Sequence, residues 1–178
     1  EKLRTLRDFL PLFADQSLEF EPGAGRQDSN GGYVVLGLII EKVSGVDYYT
    51  YVRENIFKPA GMTDTDSFEK DVPVANRSIG YTGRGSTRKS NDALLPARGS
   101  SAGGGYSTAQ DLLRYTVALD KGIIASPNDD ARGGLGIAGG TQGVNACLEW
   151  SPKSGYVIVV LSNFDPPIAE TIARQIRS

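Results

Sequence analysis

The order in which two hydrophobic periodicities appear constrains this chain most. Apolar residues recur at helical spacing as far as Leu119. Only beyond that point do two short runs rich in β-branched and aromatic residues follow, Val144 to Trp150 and Tyr156 to Ser162. The segment Pro152-Lys-Ser-Gly155 between them has the composition of a tight turn, so the pair reads as a hairpin. Pro166-Pro167 then opens a last helix, with Ile168, Ile172 and Ile176 on one face. Helices first and a strand hairpin later predict an α+β fold, in which an antiparallel sheet is covered by helices beside a helical lobe. We read residues 1–178 as a single domain, with a helix-and-loop lobe over residues 1–122 and the sheet hairpin and terminal helix over residues 136–178.

Local signals place the helices. Leu3, Leu6, Phe9, Leu10 and Phe13 predict an amphipathic first helix. Phe20-Glu-Pro-Gly23 is a turn. Asn30 to Val43 predicts a second helix, stopped by Ser44-Gly45. Tyr48 to Phe57 predicts a third, ended by Lys58-Pro59, and Gly61 to Asp66 a polar loop. Residues 70–105 carry little periodicity and read as surface loops, with one short strand near Ile79 to Thr82. Ser107-Thr-Ala-Gln110 has the pattern of a capping box before a helix that closes at Gly122. A polar stretch follows around Pro127 to Gly134.

Composition removes several chemistries. The 178 residues contain no histidine, which excludes an imidazole base, a Ser-His-Asp triad and His-ligated zinc. Cys147 is the single cysteine, so no internal disulfide and no cysteine-cluster metal site can form. No metal and no cofactor is expected. Lys plus Arg total 19 against 21 Asp plus Glu, a net charge of −2 that is too balanced to point to nucleic acid or an anionic membrane. The longest apolar runs, Tyr33 to Ile40 and Tyr156 to Leu161, are too short to span a bilayer. The first residue is Glu1, and no signal-peptide pattern is present, so the chain reads as a trimmed or processed piece.

A set of ordered segments carries a more specific signal. They are Phe20-Glu-Pro-Gly23, Asp28-Ser-Asn30-Gly-Gly-Tyr33, Leu36-Gly-Leu-Ile-Ile-Glu41-Lys-Val-Ser-Gly45 and Ile56-Phe-Lys-Pro-Ala-Gly-Met62-Thr. Ala102-Gly-Gly-Gly105-Tyr-Ser-Thr108 with Asp111-Leu112, Gly139-Gly-Thr-Gln-Gly143 and Val159-Val-Leu-Ser-Asn163 complete the set. In this order they resemble the serine β-lactamase family in its class C branch, which also holds penicillin-binding-protein-like proteins, D-stereospecific peptidases and carboxylesterases. The resemblance covers nearly the whole chain. It implies a partial β-lactamase-like fold and acyl transfer to a serine, on β-lactam, D-peptide or ester substrates. Members of the family are often periplasmic or secreted.

The resemblance also implies three motifs. A serine in S-x-x-K is the nucleophile, with lysine one turn later taking its proton. A tyrosine in Y-x-N acts as base or proton relay, and K-T-G or H-x-G on a strand holds the substrate. The second motif falls on Asp28-Ser29-Asn30: Asn30 matches, whereas Asp28 stands in the tyrosine position. A carboxylate can act as a base but not as a proton donor at neutral pH; Asp28 also fits a helix N-cap or first-turn acid. The third motif falls on Ile137-Ala138-Gly139, where Gly139 matches and Ile137 replaces the cation or imidazole; an Ile in a strand reads as core-like. The first motif is expected upstream of the residues present, and the segment between Leu119 and Gly136 reads as shortened.

Other serines compete for the nucleophile role. Ser67-Phe-Glu-Lys70 and Ser86-Thr-Arg-Lys89 both spell S-x-x-K. A helix begun at Ser67 would meet Pro73, and the second string has no apolar face. Ser67 with Lys70, Ser86 with Lys89, and Ser29 are therefore weak candidates. Ser107 in Gly105-Tyr-Ser-Thr-Ala109 resembles a nucleophile elbow but reads as a cap. Gly134-Leu-Gly136-Ile-Ala-Gly139 fits a dinucleotide-binding pattern but neither follows a strand nor opens a helix. Tyr48, Tyr49 and Tyr51 read as core or lobe-interface residues.

Two functional expectations result. One is a β-lactamase-like relative that is truncated and catalytically inactive, retaining a cleft for a β-lactam or ester-like ligand or a partner, and covering exposed sheet edge and apolar surface by self-association or docking. The other is an active esterase or β-lactamase-type hydrolase using a relocated serine or a base at Asp28.

Overall fold

A computed structural model describes residues 3–125 and 134–178. The predicted α+β class is what forms: the described residues make five α-helical segments and antiparallel sheets. The polar stretch at Pro127 and the shortened segment before Gly136 fall on residues 126–133, outside the described ones.

The first apolar segment folds as a 3-10 helix over Leu6–Leu12 rather than an α-helix. Pro11 lies inside it, and in an α-helix its ring would crowd the carbonyl four residues back. Leu6 is fully buried. Helix α1 spans Asn30–Ser44 and ends on Gly45, whose φ of 75° is the left-handed conformation that glycine adopts without a Cβ penalty. It buries Val34 and Gly37 against the 3-10 segment. A Cβ on Gly37 would run into Leu6 and Ser101, so the missing side chain lets the elements approach. Leu36, Ile39 and Val43 on the same helix are exposed.

Helix α2, Tyr48–Val52, does not stop at Lys58-Pro59 as its sequence suggested. It widens into a π turn over Arg53–Phe57 and continues as α3, Lys58–Ala60. Pro59 lacks an N–H and its ring crowds the preceding turn; the wider turn accommodates both. Tyr49 is buried, donates its hydroxyl to Gly99 O at 2.8 Å and carries the Arg98 guanidinium over its ring at 3.5 Å.

Strand β1 (Asp66–Ser67) pairs with β4 (Gly105–Tyr106), and β2 (Tyr81–Thr82), as predicted near Ile79, pairs with β3 (Lys89–Ser90). Helix α4, Ala109–Asp120, starts one residue later than its capping pattern implied. Thr108, not Ser107, is the N-cap, accepting from Asp111 N through Oγ1 at 3.1 Å.

The larger sheet orders as β5 (Leu135–Thr141), β6 (Val144–Ser151) and β7 (Tyr156–Ser162), all antiparallel. The hairpin of β6 and β7 was expected. As a strand, β5 was legible only through the resemblance, and Ile137 on it is 51% exposed rather than core-like. Among the described residues β5 pairs with β6 alone, which leaves it at an edge of the sheet. Helix α5, Ile168–Arg177, lies across β6 and β7, with Ala169 and Ala173 buried against Cys147, Ile158 and Val160.

Candidate functional site

The segment Asp28-Ser29-Asn30 sits at the start of α1. Asp28 is not the cap its composition suggested. Ser29 is extended, and its Oγ accepts from Gly32 N at 3.1 Å, while Asn30 is the first helical residue. A serine oxygen engaged this way satisfies one of the free N–H groups of the first turn. Asp28 and Asn30 are exposed. A shallow groove of about 330 Å³ opens here, lined by Gln27, Asp28, Ser29, Gly32, Tyr33 and Leu36.

Ile137 and Gly139 lie on β5 with their neighbours fixed by the ladder: Ile137 opposite Leu148 and Gly139 opposite Ala146. Among the described residues, no hydrogen bond joins either of them to Asp28 or Asn30. The position of β5 is set by a residue that sequence reasoning missed. Asn145, 1% exposed, donates through Nδ2 to Gly139 O at 3.1 Å and to Glu170 Oε1 at 3.2 Å, and accepts from Ala169 N through Oδ1 at 2.6 Å. One buried amide thus ties the motif-equivalent glycine to the start of α5. Its only sequence signal was an Asn next to the apolar run Ala146-Cys-Leu148, where a buried polar group needs partners.

The weak serine candidates are dispersed. Ser67 lies in β1, not in a helix, and Lys70 uses its backbone N–H to reach Ala97 O at 2.9 Å. Ser86 lies in a single 3-10 turn, Gly85–Thr87, and Lys89 in β3. Among the described residues, no hydrogen bond links Ser67 to Lys70 or Ser86 to Lys89.

Ser107 belongs to a different network. Its Oγ lies 2.8 Å from Thr65 Oγ1, which in turn donates to Asp111 Oδ2 at 2.8 Å. Asp111 also accepts from Asp64 N at 2.7 Å and from Arg114 at 2.7 Å. Burial alone would raise the Asp111 carboxyl. The hydrogen bonds from Thr65, Asp64 and Arg114 outweigh it and hold the group below the ordinary carboxylate range. A carboxylate stabilised in this way is a poor base, so the chain from Ser107 to Asp111 fastens the loop before β1 to α4 rather than activating a hydroxyl. Asp165 is likewise held low, first by the Gly143 N–H at 2.7 Å and then by Gly83 N at 3.1 Å; it pins the turn between β5 and β6 to β2.

Among the described residues, no cluster of three His, Cys, Asp or Glu side chains suits a metal ion, and no helix is long and apolar enough to cross a membrane.

Comparison with known proteins gives consistent likenesses. The Beta-lactamase family pattern matches residues 2–133. PbpX of Bacillus subtilis (strain 168), named as a penicillin-binding protein, is 32% identical over 167 residues, covering 82% of this chain and 41% of that protein. The structure of a penicillin binding protein from Bacillus halodurans superposes with a TM-score of 0.89 at 29% identity, over 99% of this chain and 63% of the other. A D-amino acid amidase from Ochrobactrum anthropi SV3, solved with D-phenylalanine, shares the fold with a TM-score of 0.77 at 20% identity, over 92% of this chain and 58% of the other. The chain thus spans less than half the length of PbpX and under two thirds of either solved chain.

Proposed function

The chain belongs to the Beta-lactamase family, and on that premise we propose that it is a non-catalytic member, a domain that engages a ligand or partner without forming an acyl-enzyme. One observation carries this reading. At the two motif positions that the residues present cover, Asp28 stands for the tyrosine and Ile137 for the cation or imidazole.

Asp28 offers no phenolic proton, and Ile137 offers neither charge nor hydrogen bond to a substrate carboxylate or carbonyl. The replacements lie on separate elements, so they are two losses rather than one. Members of a catalytic unit act together, and removing any of them leaves only residual rate. Capping of α1 already occupies the intervening Ser29. The retained Asn30 and the groove beside it suit a small β-lactam or ester-like ligand. The exposed apolar residues Leu36, Ile39 and Val43 suit self-association or a docking partner.

The test is turnover. The protein is incubated with a fluorescent penicillin and with a p-nitrophenyl ester, alongside Ser29→Ala, Ser67→Ala and Ser86→Ala. Release of p-nitrophenol at the buffer rate in all four proteins supports the reading. Turnover that disappears in one serine variant overturns it and identifies a relocated nucleophile.

A further inference from the structure

We propose that the start of α1 is a self-modification site, at which the Asn30 carboxamide closes onto the Gly31 nitrogen and is converted to aspartate and isoaspartate with water as co-reactant. The reaction needs no acyl-enzyme and is independent of what the groove binds.

The first turn of α1 leaves the reacting groups free. Ser29 Oγ accepts the Gly32 N–H at 3.1 Å, and Ser29 O accepts the Tyr33 N–H at 3.1 Å. Among the described residues the Gly31 N–H has no acceptor, as is usual for a donor in the first turn of a helix. The Asn30 carboxamide has no hydrogen-bond partner among them either. Asn55, Asn91, Asn145 and Asn163, by contrast, each donate through Nδ2 to a backbone carbonyl. Asn30 is also the one asparagine in the chain that precedes a glycine. Without a Cβ, glycine neither screens its own nitrogen nor restricts the backbone, so it hinders ring closure least.

Packing holds that glycine in place. A Cβ on Gly31 would lie 3.1 Å from the Phe13 ring, so a larger residue would have to push the ring aside. Closure requires Asn30 to leave its helical conformation, which opens the first turn. Gly31 and Gly32 are both poor helix formers, so this turn opens more readily than the rest of α1.

In the closing step the Gly31 nitrogen attacks Asn30 Cγ. The new N–Cγ bond forms as the Cγ–Nδ2 bond breaks, and Nδ2 leaves as ammonia, taking up the proton that the Gly31 nitrogen gives to solvent. Water then opens the succinimide. Cleavage between the nitrogen and Cγ gives aspartate; cleavage between the nitrogen and the main-chain carbonyl carbon gives isoaspartate. Nothing is oxidised or reduced. The aspartate places a carboxylate where the helix dipole favours one. The isoaspartate adds a methylene to the backbone beside Ser29 and so disturbs the cap on Gly32. Either product replaces the amide of Asp28-Ser29-Asn30 with an acid.

The test holds the folded chain in mildly alkaline buffer, beside a sample unfolded in guanidinium chloride. Peptide mass spectrometry follows each asparagine, and an isoaspartyl methyltransferase reports isoaspartate. The expected result is that Asn30 of the folded chain gains the mass of an amide-to-acid exchange before any other asparagine, with isoaspartate among the products. Asn30→Gln, which would have to close a larger ring, should abolish it. If that variant misfolds, the peptide map of the unaltered chain decides. An Asn30 that stays an amide in the folded chain while the unfolded sample converts overturns the proposal. Earlier conversion of another asparagine overturns it as well.

Discussion

Ser29 Oγ accepts the Gly32 N–H at 3.1 Å, so the serine between Asp28 and Asn30 is committed to starting a helix. Ser29→Ala removes that cap. It is expected to lower stability by about 1 kcal/mol, read as a lower urea midpoint with an unchanged slope. It should leave ester hydrolysis at background. A rate that falls with this substitution would assign Ser29 a chemical role.

Asn145 is the buried joint between β5 and α5. Asn145→Ala orphans the Ala169 N–H and the Gly139 carbonyl, a loss of roughly 2–3 kcal/mol. Asn145→Asp keeps the acceptor for Ala169 but loses the donor to Gly139 O and sets a second carboxyl against Glu170, so it too destabilises. Chemical denaturation of the two variants checks both.

Asp111 gives the acid limb of stability a definite sign. Its folded-state pKa lies below the unfolded value. The stabilisation is therefore fully present above the ordinary carboxylate pKa of about 3.9, and is lost as pH falls through the lower folded value. Asp111→Asn is expected to lower stability at pH 7 and to flatten its dependence on pH below about 4. Equal destabilisation of the variant at every pH would contradict the assignment.

Gly80 is required for close approach. A Cβ there would run into the carbonyl oxygen of Gly143, a backbone atom, and would lie 2.5 Å from Asn91 Nδ2. Gly80→Ala is expected to cost about 1–3 kcal/mol, the range for overpacking, even though alanine restricts the unfolded chain. Thermal unfolding of the variant measures it.

The legible parts of this fold were those in which local chemistry and tertiary packing agree. The run from Asn30 to Ser44, with Gly45 behind it, formed the helix its spacing predicts. The β-branched run at Tyr156 formed a strand. β5 was hidden because Leu-Gly-Ile-Ala-Gly-Gly-Thr has little intrinsic strand preference; pairing with β6 imposes its conformation. The first helix was misjudged in type because Pro11 weighs more than apolar spacing. The cap at Thr108 was displaced by one residue because Ser107 and Thr108 carry equivalent hydroxyls, and Thr65 engages the former. The start of α1 was legible as a special segment from the order of its motifs. The polar residues that hold the frame, Asn145 and Asp111, were not, because the contacts that join separate elements reach Ala169, 24 residues from Asn145, and Asp64, 47 residues from Asp111.

The most direct measurement is the intact mass of the protein after prolonged incubation with excess fluorescent penicillin. The account predicts the mass of the unmodified chain, with no covalent fluorescence after denaturation. A stoichiometric mass increase equal to the penicillin, abolished by substituting a single serine, would contradict it.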